Sequence, residues 1–313
     1  MEEGGRPHGR AGKEEGLTRT PSGASSTSLR GVLWMSGAVL SFCAMAIAAR
    51  QLLQHLGTFE ILFFRTGVAL VIVMAVVLPG GVTAGTAMLG TKRFGLHLWR
   101  NMVHLGGQAS WVFAIGALPL ATVFAIEFTA PIFTAVLAVL FLGEHMNRGR
   151  VVMLALGLAG VLVILRPGLG VFQPAALVML FGSLCFAIQF IGTKKLSDTE
   201  PPMAVLFWMS VIQTPFCLAA ALPGWLAPSL TDLPWIVAIG IGSFTAHYCM
   251  TRAMKLADAM VIVPVDYFRL PLIAVVGALF YAEAFDPVVF LGAGMIFAGV
   301  WFSLARENKM VAT

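Results

Sequence analysis

Residues 130–144 read APIFTAVLAVLFLGE, and residues 269–283 read RLPLIAVVGALFYAE. The two stretches lie 139 positions apart, and at that shift Ala135-Val136 falls on Ala274-Val275, Leu140-Phe141 on Leu279-Phe280 and Glu144 on Glu283. The register continues outward, with Ala159-Gly160-Val161 falling on Ala298-Gly299-Val300. Each copy is apolar over most of its length. Crossing the ~30 Å hydrocarbon layer takes roughly 20 helical residues. The first copy holds five such stretches, at 32–51, 58–79, 97–116, 120–142 and 149–166; the second holds five at 174–193, 203–222, 233–253, 259–281 and 286–305. Five crossings are an odd number, so the second copy enters the bilayer upside down relative to the first. Inverted repeats of this kind belong to carriers that open alternately to the two sides of a membrane.

Composition agrees with that reading. The chain is 58% hydrophobic and 11% charged, against about 25% charged for a soluble domain. Backbone groups in lipid must bond internally, so helices are expected, and the regular alternation of an outer-membrane barrel is absent. The expected fold is an all-α membrane protein: ten transmembrane helices, as two inverted five-helix repeats around a central cavity. Residues 31–167 and 172–305 form the repeats, residues 1–30 a disordered cytoplasmic tail, and residues 306–313 a cytoplasmic tail at the other terminus.

The cations place the ends. With both termini cytoplasmic, sixteen of the 20 Lys and Arg residues lie on the inner side, Arg50 and Arg166 lie outside, and Arg65 and Arg269 lie within spans. That asymmetry is the positive-inside pattern of a multi-pass inner-membrane protein. The net charge of +5 is then a topology signal, and no nucleic-acid partner is expected. Cys43, Cys185, Cys217 and Cys249 sit in apolar segments without metal or disulfide spacing, and are read as small buried hydrophobes.

Charge inside a bilayer costs a few kcal/mol or more and marks a cavity or a partner. Arg65 in span 2, Glu127 in span 4, and Asp266 and Arg269 in span 9 are such groups, and Glu127 and Asp266 are related by the same shift. Two readings stand: these groups bind an ionic or zwitterionic solute or a coupling proton, or they form a neutralised structural cluster. His104, Gln108 and Trp111 share one face of span 3, and His247 is the repeat counterpart of Gln108. They line the cavity or bond neighbouring helices. Tyr267, Gln189, Gln213 and Trp208 are further polar candidates, while the remaining Phe and Met side chains are read as packing or lipid-facing. Glu144 and Glu283 close spans 4 and 9 as loop anchors, and Pro131, Pro264 and Pro271 kink those spans. Gly157, Gly160, Gly292, Gly294 and Gly299 pack helices within the monomer, with a homodimer packed through them as the alternative.

No GxSxG, HExxH, Walker or Rossmann motif occurs, so no catalytic residues, metal or cofactor are expected. Two five-span repeats, each with a Pro-containing fourth span closing on Glu, resemble the drug/metabolite transporter superfamily, in its ten-helix EamA-type branch. The stretches that carry the resemblance run from Pro119-Leu120-Ala121-Thr122 through Pro131 to Leu142-Gly143-Glu144, and from Val263-Pro264-Val265-Asp266-Tyr267 through Pro271 to Ala282-Glu283. The resemblance spans the chain after residue 30, and the second copy departs from it in having Ala282 before Glu283. It implies spans set around a central cavity, halves that rock, and secondary transport of a small polar or zwitterionic metabolite (an amino acid, vitamin or nucleotide-like compound) across the bacterial inner membrane. A multidrug or toxic-metabolite exporter of the same fold is the alternative. A lipid-modifying membrane enzyme would need its polar cluster at the membrane surface, and a scaffold would not need intramembrane charge in both halves.

Overall fold

A computed structural model describes residues 22–80, 89–142, 148–166, 173–197, 199–256 and 265–311. Eleven helices carry the fold: α1 (Ser22–Leu52), α2 (Thr58–Val77), α3 (Phe94–Ala117), α4 (Leu120–Glu127), α5 (Ala130–Leu142), α6 (Arg148–Leu165), α7 (Pro174–Ser197), α8 (Pro202–Ala221), α9 (Leu233–Leu256), α10 (Arg269–Tyr281) and α11 (Pro287–Val311). Local chemistry sets several starts. Pro174, Pro202 and Pro287 open their helices, where a missing N–H costs nothing. At the start of α2 the Glu60 carboxylate accepts from the Gly57 N–H at 2.6 Å, satisfying one of the donors a helix end leaves open. α1 begins at Ser22, inside the segment expected to lie outside the bundle, and α11 runs to Val311 through the expected second tail. Residues 1–21, the Glu144 anchor, the Pro264 kink and residues 81–88 of the longest loop lie outside the described residues.

Among the described residues, eight helical stretches are long and apolar enough to cross a membrane. Two of the ten spans expected from sequence fall short of that measure. α3 carries His97, Arg100, Asn101, His104 and Gln108, all buried against protein rather than turned to lipid. Of the ninth expected span, residues 259–264 lie outside the described residues, and α10 supplies its last 13. The fourth span is not one kinked helix. It is α4 and α5, parted at Phe128-Thr129, because Pro131 has no N–H for the Glu127 carbonyl and its ring crowds that turn. The ninth span shows the matching interruption at Phe268, three residues ahead of α10's Pro271.

The repeat seen in sequence governs the packing. The bounds of α3, α5 and the start of α6 reappear in α9, α10 and α11 at the same 139-residue offset. α1 packs on α9 and α7 on α3; α2 packs on α9 and α8 on α3; α5 packs on α7 and α10 on α1. Each pair becomes the other when the halves are exchanged. α2 with α8 and α6 with α11 map onto themselves, so they surround the axis that relates the halves. The α6–α11 crossing is held close by glycine. A Cβ on Gly160 would stand 2.5 Å from the Gly292 carbonyl oxygen, and one on Gly299 would stand 3.1 Å from the Met153 Cα, the repeat-related contact. Gly157 faces Ile132, while Gly294 has nothing within 4 Å.

Candidate functional site

The two breaks put repeat-related residues face to face in mid-bundle. Glu127 ends α4, and Asp266 precedes α10 at the equivalent place. The next residue of each copy completes the junction: the Phe128 and Tyr267 rings stack at 4.1 Å, and the Tyr267 hydroxyl donates to the Phe128 carbonyl at 3.3 Å. That carbonyl lies at the break, where the helix leaves acceptors open.

Arg269 ties the carboxylates together. Its Nη1 reaches Glu127 Oε1 at 3.2 Å and its Nη2 reaches Asp266 Oδ2 at 2.7 Å. Its guanidinium lies over the Phe42 ring at 4.6 Å and the Phe128 ring at 5.2 Å. A planar, weakly hydrated guanidinium suits such a position better than an ammonium would. The indole N–H of Trp111 donates to Glu127 Oε2 at 2.9 Å. Both Glu127 oxygens are therefore engaged, whereas Asp266 Oδ1 is buried without a partner.

A second polar group adjoins this cluster on α3, α8 and α9. Gln108 Nε2 lies 3.0 Å from His104 Nε2, one helical turn away. Gln213 Nε2 lies 3.2 Å from His104 Nδ1 and donates to the Asn101 carbonyl at 3.0 Å. The His104 and His247 rings are 5.8 Å apart, and His247 Nδ1 sits 3.0 Å from the Ser243 carbonyl. Arg65 reaches the same space from α2.

All nine residues singled out from sequence (Arg65, His104, Gln108, Trp111, Glu127, His247, Asp266, Tyr267 and Arg269) border a single cavity between the halves. The centre of a water molecule can explore about 220 Å³ of it. Gln189 also borders it, while Trp208 lies apart and donates to the Leu89 carbonyl. The lining runs from Leu62 and Val112 to Met250 and Met254, toward the end of the bundle that carries the chain termini. The aromatic part of the wall (Phe42, Phe128, Phe186, Phe190) was read from sequence as packing or lipid-facing. Phe128 alone carried a signal, as the repeat counterpart of Tyr267.

The opposite end is clasped across the halves. Arg50 meets Glu283 at 2.5 Å and donates to the Leu118 carbonyl, and Glu283 also accepts from the Leu120 N–H. Arg166 meets Asp286 at 2.5 Å. The two cations that break the positive-inside pattern are thus both paired with carboxylates of the other half. His55 meets Asp232 at 3.0 Å there. Bonds from the Ser229 hydroxyl and N–H, then from His55, hold the Asp232 carboxyl below the usual carboxylate range. Ala282, the departure noted in the second copy, ends α10 in left-handed backbone at φ 51°, the conformation that makes glycine usual at that position.

Comparison with known proteins gives a consistent result. The family described as EamA-like transporter matches residues 29–166 and 173–305. The S-adenosylmethionine uptake transporter of Rickettsia bellii is 27% identical over 90% of this chain and 96% of its own. The riboflavin transporter of Vibrio cholerae is 31% identical over 90% and 95%, and the pseudopaline exporter of Pseudomonas aeruginosa is 23% identical over 89% and 97%. A solved crystal structure, 15% identical, superposes with a TM-score of 0.60 over 93% of this chain and 99% of that one, a likeness of fold.

Proposed function

The chain belongs to the EamA-like transporter family, a multi-pass membrane carrier of small metabolites rather than an enzyme, and from that premise we propose that it moves a zwitterionic metabolite by alternating access. In this reading ten spans cross the bacterial inner membrane as two inverted halves, with both termini in the cytoplasm. The cavity between the halves is the solute site. Glu127 and Trp111 hold Arg269 in place, and Asp266 offers its free oxygen to a cationic group or a coupling proton. Gln108, His104 and His247 supply neutral polar contacts, and Phe128 with Tyr267 forms the floor on which the halves turn. The clasp at Arg50 and Glu283 closes the outer end while the cavity reaches toward the cytoplasm.

The observation that carries this reading is the pair of helix breaks at equivalent places in the two copies, each presenting a carboxylate to the same cavity. Interrupted helices meeting near the midplane are where carriers of inverted-repeat design hold solute and coupling ions. Acids and arginines in one apolar vessel suit a solute with both signs of charge, which among the relatives' named solutes favours S-adenosylmethionine. A second reading, riboflavin, is favoured by the aromatic wall of Phe42, Phe128, Phe186 and Tyr267.

Counterflow in proteoliposomes distinguishes them. Vesicles preloaded with unlabelled S-adenosylmethionine are expected to accumulate labelled S-adenosylmethionine without ATP, saturably, and to do so less well when loaded with riboflavin. Exchange of riboflavin alone would move the assignment to the second reading. Exchange of neither compound, and of no other zwitterion, would overturn it.

A further inference from the structure

Arg65 differs from every other charged group at the cavity. It is 3% exposed, it borders the cavity, and its Nε and Nη1 are buried without hydrogen-bond partners. Arg269 shares two carboxylates, and Arg50 and Arg166 each meet one; no carboxylate of the described residues meets Arg65. His104 and His247 border the same cavity, and neither is a carboxylate. A buried guanidinium cannot shed its proton to escape the cost of burial, and an uncompensated buried charge is among the most expensive groups a protein carries. A position in the middle of a bilayer sharpens that cost. Such a residue persists where an anion completes it.

The geometry points to Arg65 as the anchor for a carboxylate of the transported solute, with the solute's cationic end at Asp266, which borders the same cavity. Charge complementarity supports the orientation. The Glu127–Arg269–Asp266 cluster holds two acids to one base, and its one open acceptor is Asp266 Oδ1. The Arg65 side holds one base and no acid. A solute that carries a carboxylate and at least one cationic group completes both ends only when its carboxylate lies at Arg65. This inference rests on the cavity being the solute site, as proposed above, and adds which residue reads the carboxylate.

The test is calorimetric titration of the purified chain in lipid nanodiscs with S-adenosylmethionine and with decarboxylated S-adenosylmethionine, which differs by the carboxylate alone. A charge-assisted guanidinium–carboxylate contact in a dry site is expected to make the first bind about 10- to 100-fold more tightly. Arg65→Gln is expected to abolish the preference between the two compounds, and Arg65→Lys to retain part of it. Equal binding of both compounds by the wild-type chain overturns the anchor, as does an Arg65→Gln chain that weakens both alike. If Arg65→Gln does not fold, the wild-type preference and Arg65→Lys decide. Binding of neither compound by the wild-type chain overturns the S-adenosylmethionine reading together with the anchor, whereas loss of the preference alone leaves the carrier reading in place.

Discussion

Phe128 and Tyr267 are the same position in the two halves, and their rings stack on each other at 4.1 Å. A residue can touch its own repeat counterpart only where the axis relating the halves passes between them. The stack therefore lies on that axis, directly beside the carboxylates Glu127 and Asp266. Halves that rock about such an axis slide these two rings across one another while the rest of the interface opens.

The stack is expected to matter more for turnover than for insertion. Phe128→Ala removes the ring but leaves the backbone carbonyl that accepts from Tyr267, and should lower the counterflow rate about tenfold or more, a rise of ~1.4 kcal/mol in the barrier. Tyr267→Phe keeps the stack and loses one 3.3 Å hydrogen bond, of net worth about 1 kcal/mol or less, and should stay within a few-fold of wild type. Equal loss in both would show that the hydroxyl, not the ring, is essential.

The two repeat-related acids are expected to behave differently. Both Glu127 oxygens are bonded, so Glu127→Gln breaks a buried pair with Arg269, at a cost of about 3–5 kcal/mol. It should lower the melting temperature as well as transport. Asp266→Asn keeps an acceptor for Arg269 and changes the oxygen that has no partner, so it should abolish transport with a smaller change in melting. Wild-type uptake by Asp266→Asn would remove Asp266 from the mechanism.

The clasp between Arg50 and Glu283, outward-facing in the proposed orientation, makes a labelling prediction. Glu283 joins Arg50 and the Leu120 N–H across the halves. Glu283→Ala removes both bonds and should shift the population toward forms open at that end. In a cysteine-free background, Met45→Cys on the cavity wall should then react faster with an impermeant thiol reagent added from outside. Unchanged reactivity would mean that other contacts close this end.

Glycine at the α6–α11 crossing can be separated from glycine in general. Gly160→Ala places a methyl 2.5 Å from the Gly292 carbonyl oxygen, and backbone does not yield cheaply. A loss of about 1–3 kcal/mol is expected, read as a lower melting temperature. Gly294→Ala meets nothing within 4 Å and should be neutral or slightly stabilising through helix propensity. Similar melting of the two variants would count against the close crossing.

Much of this architecture is written in the chain, and for identifiable reasons. Period, hydropathy and cation placement are properties of the string, so the repeat, the apolar spans and the pairing of Glu127 with Asp266 are legible before any folding. Charged residues inside apolar segments are conspicuous, which is why Arg65, Arg269 and the two acids stand out. Phe42 does not: a Phe in an apolar helix has the same local signal whether it covers a guanidinium or faces a lipid tail. Pro131 announces a disturbance of span 4, but not which group meets the interrupted turn; the Tyr267 hydroxyl, which donates to the Phe128 carbonyl there, comes from the other half.

By itself the sequence determined an all-helical chain of two matched halves with charge at equivalent depths, because lipid admits few other solutions for so apolar a backbone. Only the tertiary structure decided which charges meet. Arg269 takes both acids, Arg50 takes Glu283, and Arg65 is left without a carboxylate. Partners in these pairs lie as far as 233 residues apart, and distance in space between such residues is set by helix packing, which no local pattern encodes.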